Sequence, residues 1–149
     1  MPEVKRPVVA GVDLSKPETF RHWTLVTLRF SDQDPYGHVN NVAYAAYAEQ
    51  GRVAYFTELL ARAGRADIDF VLASVKIDYL REMRFPGTVE VGTRLLAIGN
   101  KSVTSGVGMF KDGAGVATAE SVNVFFDTGS GETIAIPDDV RSLLQKELP

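Results

Sequence analysis

The chain has 149 residues, 45% of them hydrophobic and 23% charged, which is the size and balance of one globular domain with a real core. A net charge of −3 with no Lys/Arg cluster argues against a nucleic-acid surface, and zero cysteines remove disulfides, thiolate nucleophiles and cysteine-ligated zinc or iron–sulfur sites. Two histidines, His22 and His38, are too few for a histidine-built metal site, and no run approaches the roughly 18 apolar residues of a membrane span.

Met1 to Pro7 lack the apolar stretch of a signal peptide, so a cytoplasmic protein is expected. Residues 1–21 carry three of the seven prolines and no sustained period; they are expected to be an irregular lead-in. A β-branched and aromatic strand follows at 23–31. The turn Asp32-Gln33-Asp34-Pro35-Tyr36-Gly37 comes next, then a helical pattern from Asn40 or Asn41 to Ala63, with Gly64 as a natural stop. Val39, Val42, Ala46, Val53, Phe56 and Leu60 share one face of that helix. The opposite face carries Tyr44, Ala48, Tyr55 and Leu59. A helix this apolar all round is expected to be enclosed.

Four strands are predicted after it. Ala73, Val75, Ile77 and Tyr79 alternate with polar residues, as do Val89, Val91, Thr93 and Leu95. Val103, Val107 and Met109 mark a Gly-rich strand, and Val116 to Phe126 the last, after an Asp112-Gly113 turn. The short connections imply antiparallel neighbours. Pro137 to Leu148 closes the chain as a short helix, with Pro137 in its first turn. One strand, a long buried helix and four strands make an α+β fold, a five-stranded antiparallel sheet curled around one helix, as one domain over 1–149. A cystatin-like or nuclear-transport-factor-like cone shares much of this pattern.

The chemistry concentrates between the first strand and the helix. A carboxylate beside the open N–H groups of a helix start can act on a carbonyl whose oxygen those groups polarise. The same residues also suit any strand-to-helix turn, since Pro fixes φ, Gly permits positive φ, and Asp or Asn caps. On this ground Asp34 is a candidate base or nucleophile or else an Asx-turn residue, Asp32 a structural carboxylate, and Asn40 the cap. His38 polarises a substrate or bonds the loop. Glu49 falls on the predicted apolar stripe, where a carboxylate must be paired, hydrogen-bonded or neutral. It is read as a buried structural acid, with a second pocket carboxylate as the alternative.

Asp32-Gln33-Asp34-Pro35-Tyr36-Gly37-His38-Val39-Asn40-Asn41, followed by Tyr44, resembles the Asp-x-Asp-x-x-Gly-His-Val-Asn-Asn-x-x-Tyr signature of the 4-hydroxybenzoyl-CoA thioesterase-like branch of the hotdog superfamily. The likeness extends through Ile77-Asp78-Tyr79-Leu80-Arg81 and Asn100-Lys101-Ser102, over about residues 22–127. It implies a hotdog fold that hydrolyses an acyl-CoA or acyl-carrier-protein thioester without metal or organic cofactor, coenzyme A entering as part of the substrate. It further implies that Asp34 acts as nucleophile or general base, that the Asn41 backbone N–H holds the carbonyl oxygen, and that the turn Asn100-Lys101-Ser102 contacts the coenzyme A phosphates, with Arg81 and Arg84 near. Sites of this family form between subunits, so a homodimer or homotetramer is expected, with Tyr44 and Tyr55 read as exposed apolar positions that fit one. Two other functions remain open: a non-catalytic acyl-thioester-binding module, and a hydratase or dehydratase on the same fold.

Overall fold

The computed structural model describes residues 8–149. Two short strands, β1 (Val8–Val9) and β2 (Val12–Asp13), pair as a hairpin and lead through a single 3-10 turn at Pro17–Thr19. Within the described residues the lead-in is therefore not irregular, which corrects the expectation; residues 1–7 lie outside them. Its function is to cover the sheet. Val12, Leu14 and Phe20 pack with Leu96 and Phe110 on the face turned away from the main helix, and each such side chain taken from water is worth about 1.5–3 kcal/mol.

The main sheet holds β3 (His22–Thr27), β4 (Ile68–Tyr79), β5 (Thr88–Ile98), β6 (Ser102–Lys111) and β7 (Ala114–Asp127) in the order β3-β5-β6-β7-β4. Every pairing is antiparallel; short loops join β5 to β6 and β6 to β7, while β3 and β4 join β5 and β7 across long stretches of chain. Asp112 and Gly113 sit at φ 52° and 79°, the conformation of a tight hairpin turn between β6 and β7. Helix α1 (Asn41–Arg62) lies across the other face, and α2 (Asp138–Gln145) begins just after Pro137. Ion pairs Arg62–Glu147 and Arg65–Asp139, both 2.9 Å, tie the two helix ends together. Among the described residues no helix is long and apolar enough to cross a membrane.

The inward face of α1 differs from the expectation. Val42 and Val53 are 76% and 47% exposed, whereas Tyr44 and Tyr55 are 3% and 5% exposed. Phe56 and Leu60 are buried as expected. Both stripes are apolar, and tyrosines bury far more area than valines, so the aromatic stripe wins the core. Gly51 lies on that stripe. A Cβ there would stand 2.6 Å from Val91 Cγ1, so the missing side chain is what lets α1 settle onto β5.

The interior is layered. One apolar cluster, including Leu28, Val39, Tyr47 and Val91, occupies the N-terminal end of α1. A second, including Phe56, Leu59, Phe125 and Val140, occupies the other end. Between them Arg52, Thr93, Ser105, Ser121 and Asn123 are all buried. Arg52 Nη1 donates to Ser121 Oγ at 3.3 Å, while Thr93 Oγ1, Ser105 Oγ and Asn123 Oδ1 have no partner among the described residues. Burial lowers the Arg52 guanidinium and the nearby Glu49 charge opposes this.

Candidate functional site

The loop between β3 and α1 is built around two carboxylates with different tasks. Asp32 is buried and fully engaged. Its Oδ2 accepts from the Tyr47 hydroxyl at 2.7 Å and the Arg29 backbone N–H at 3.0 Å, and its Oδ1 from Arg29 Nε at 3.1 Å. Burial alone would raise its carboxyl, but the Arg29 N–H, the Tyr47 hydroxyl and the Arg29 guanidinium outweigh that and hold it below the ordinary value. Burial, then the Asp32 charge, push the Tyr47 phenol up. The Asp32 backbone carbonyl also accepts from Asn40 N–H at 2.8 Å, which pins the turn to the helix start.

Asp34, two residues on, is only half-buried. Its Oδ1 accepts from the backbone N–H groups of Tyr36 at 2.9 Å and His38 at 3.1 Å, an Asx-turn. Its Oδ2 has no hydrogen-bond partner among the described residues, so one oxygen is anchored and the other is open. Gly37 supplies the φ of +80° that closes the turn. Asn40 caps α1 as expected, its side chain accepting from Val42 N–H at 3.1 Å. The Asn41 N–H has no partner among the described residues, and it points from the positive end of a 22-residue helix. An open carboxylate oxygen and an open helix-start donor therefore share one loop. That pairing can activate water, or attack directly, at a polarised carbonyl.

The other candidates are placed differently. His38 Nε2 lies 2.9 Å from Arg84 Nη2 and 3.3 Å from Glu82 Oε2. Neutral, the ring accepts from Arg84; protonated, it donates to Glu82. Its side chain serves the β4–β5 connection, and only its backbone reaches Asp34: its N–H donates to Asp34 Oδ1 at 3.1 Å and its carbonyl accepts from the Asp34 N–H at 2.7 Å. Glu49 is exposed, not buried, which corrects its assignment as a core acid: it shares a face with Val42 and Val53, but that face turns outward. Asn100, Lys101 and Ser102 are at the far end of the sheet from Asp34. Their turn packs against the segment before α2, with Asn100 O accepting from Ile136 N–H at 2.9 Å, while Leu28 and Val39 hold the Asp34 loop to Gly87 and Met83. The 11 residues of β5 separate the two places, about 33 Å along the strand. Arg84 is nearer, its Nη2 2.9 Å from His38 Nε2 of the Asp34 loop. The Tyr47–Asp32 bond and the His38–Arg84–Glu82 cluster escaped sequence reasoning; taking the tyrosine stripe of α1 as the inward face is the one signal that points to Tyr47. Among the described residues no group of three or more His, Asp or Glu side chains is placed to hold a metal ion.

Comparison with known proteins gives the same direction. The sequence pattern of the thioesterase-like superfamily matches residues 28–144. The PA5185 protein of Pseudomonas aeruginosa strain PAO1 is 31% identical, with 88% of this chain and 94% of that one covered and a TM-score of 0.73. A predicted thioesterase from Bacillus stearothermophilus is 30% identical over 85% of this chain and 96% of its own, with a TM-score of 0.74. A thioesterase from Thermus thermophilus, solved with coenzyme A and zinc, is 29% identical over 85% and 98%, with a TM-score of 0.73. The YsmA protein of Bacillus subtilis (strain 168) is 29% identical over 85% of this chain and 86% of its own.

Proposed function

The chain belongs to the thioesterase-like superfamily, and from that premise we propose that it hydrolyses an acyl-CoA thioester, with Asp34 as the catalytic carboxylate, on a hotdog fold. The observation that carries this is the division of labour within Asp34: Oδ1 is fixed by two backbone N–H groups while Oδ2 is free. A thioester is already an activated acyl group, so a lone carboxylate suffices, either attacking the carbonyl or taking a proton from water. The Asn41 N–H stabilises the oxygen as it gains charge, and the helix dipole adds to it. The reaction as proposed uses no metal or organic cofactor. A coenzyme A thioester is favoured over a carrier-protein one by the likeness to the coenzyme A-bound thioesterase. Arg84, in the β4–β5 connection and 2.9 Å from His38 of the Asp34 loop, is the near partner for the cofactor's phosphates; Lys101 takes part only through a second subunit.

That second subunit is part of the proposal. β4 is an edge strand carrying exposed Val71, Val75 and Tyr79, and the outward face of α1 adds Val42 and Val53. An open strand edge beside an apolar helix face is a surface that a second copy would cover. Free-thiol release from a panel of short, long and aromatic acyl-CoAs tests the function. Turnover of at least one class at kcat/KM near 10⁴ M⁻¹s⁻¹ or above, roughly the lower end for enzymes acting on their substrates, is expected. Acyl-CoA binding without thiol release would instead identify a binding module.

A further inference from the structure

A cavity of about 610 Å³ opens far from the Asp34 loop, between the start of β3, the last turns of α1 and the residues after α2. Leu59 in its wall is 18 residues beyond Asn41, about 27 Å along the helix, so the cavity belongs to the other end of the fold. Its size is that of a small-molecule site. Two of its contacts are internal: His22 Nε2 lies 3.1 Å from Glu58 Oε2, and Arg62 pairs with Glu147 at 2.9 Å. The remainder are not balanced. Arg94 is half-buried and, among the described residues, bonds only backbone carbonyls, Thr19 O at 3.1 Å and Leu95 O at 3.5 Å. Arg21 and Lys146 also line the cavity with no ion pair among the described residues, so with Arg94 three cations stand there against the carboxylates of Glu18 and Glu58. Thr93 lines it as well, 1% exposed, with an Oγ1 that has no partner among the described residues. A buried hydroxyl without a partner and a half-buried guanidinium without a counter-charge both favour an incoming acceptor. Tyr55 and Leu59 supply an apolar wall.

We propose that this cavity is a second binding site, distinct from the thioester site, for a monocarboxylate with a hydrocarbon body. The carboxylate lies on Arg94 and the Thr93 hydroxyl, and the body lies along Tyr55 and Leu59. Glu18 beside the mouth disfavours more highly charged anions. The proposal does not depend on hydrolysis at Asp34.

Titration calorimetry of the full chain with octanoate, and separately with inorganic phosphate, tests it. Octanoate should bind saturably and phosphate at least about tenfold more weakly. Arg94→Gln should weaken octanoate by about tenfold or more, the scale of a charged hydrogen bond. Thr93→Val should weaken it several-fold while leaving the melting temperature of the ligand-free protein unchanged or higher, since it removes an unsatisfied polar atom. Asp34→Asn should bind octanoate like the parent chain. If Arg94→Gln does not fold, Thr93→Val and Lys146→Gln decide in its place. Absence of saturable octanoate binding overturns the proposal, as does binding undiminished in these cavity variants. Loss of binding in Asp34→Asn alone would put octanoate on the Asp34 loop, and a Thr93→Val that melts lower would show the hydroxyl already in structural use; either overturns it. Equal affinity for phosphate reduces the site to an anion trap and overturns the organic ligand.

Discussion

Tyr47→Phe removes one oxygen from the wall of the active-site loop and leaves the ring in place. In the parent the hydroxyl donates to Asp32 Oδ2 at 2.7 Å, with the Asp32 side chain 4% exposed. A buried hydrogen bond to a charged group is worth about 1.5–3 kcal/mol. The companion Arg29–Asp32 ion pair contributes much less, because the Arg29 side chain is 74% exposed and such a pair is screened to about 1 kcal/mol or below. Loss of the phenol therefore dominates, and chemical denaturation at neutral pH should show the protein weaker by about 2 kcal/mol. The acid limb gives an independent sign. Asp32 has a depressed pKa in the folded state, so its contribution is present above the unfolded value, close to 3.8, and is lost as pH falls through the lower folded value. Without the Tyr47 hydroxyl the folded value rises toward the unfolded one, and acid unfolding should begin at higher pH. Thiol-release rates on the same variant should show kcat reduced with KM little changed, because the loop that aims Asp34 is looser. A Tyr47→Phe protein with the parent's stability and acid limb would refute the claim that this bond holds the loop.

Gly51→Ala should destabilise by about 1–3 kcal/mol, the cost of overpacking, because its Cβ would stand 2.6 Å from Val91 Cγ1 and 2.8 Å from Thr93 Oγ1; thermal melts check it. Glu49→Gln should change both stability and turnover little, within about 0.5 kcal/mol for an exposed site; a collapse of either would return Glu49 to a buried or catalytic role. Light scattering should show a dimer or a multiple of it, and Val75→Arg, on the exposed edge strand β4, should shift it toward monomer with reduced turnover. An active monomer at micromolar concentration contradicts the shared-site proposal.

The strands, the antiparallel pairing of the last ones and both ends of α1 are legible because they rest on local signals, whereas the places of β3 beside β5 and β4 beside β7 are not. Alternation marks β4 and β5, Asn40 caps the helix, and Asp112-Gly113 makes the hairpin. The Asp34 loop was legible through its run of turn residues. The inward face of α1 was not, since both stripes are apolar and only tertiary packing, helped by the gap at Gly51, chooses between them. Glu49 was misplaced by the same error, because its burial was inferred from the company of Val42 and Val53. Lys101 was linked to the site by motif alone, and no local pattern encodes the length of β5 that separates it from Asp34. The cover that Leu14 and Phe20 give the sheet was hidden too, since a proline-rich segment without period carries no helix or strand signal. Arg52 and its polar layer between the two apolar clusters have no signature in the sequence, because β-strand alternation specifies a face and not the level at which polar residues line up across strands.

The central claim is that the free oxygen of Asp34 performs the hydrolysis. Asp34→Asn preserves the oxygen that accepts from Tyr36 and His38 and removes the base or nucleophile. Its kcat for the best acyl-CoA, measured by free-thiol release, should fall by about 10²-fold or more, with the melting temperature nearly unchanged. A folded Asp34→Asn protein that turns over at close to the parent rate would contradict the account and leave Asp34 a turn residue.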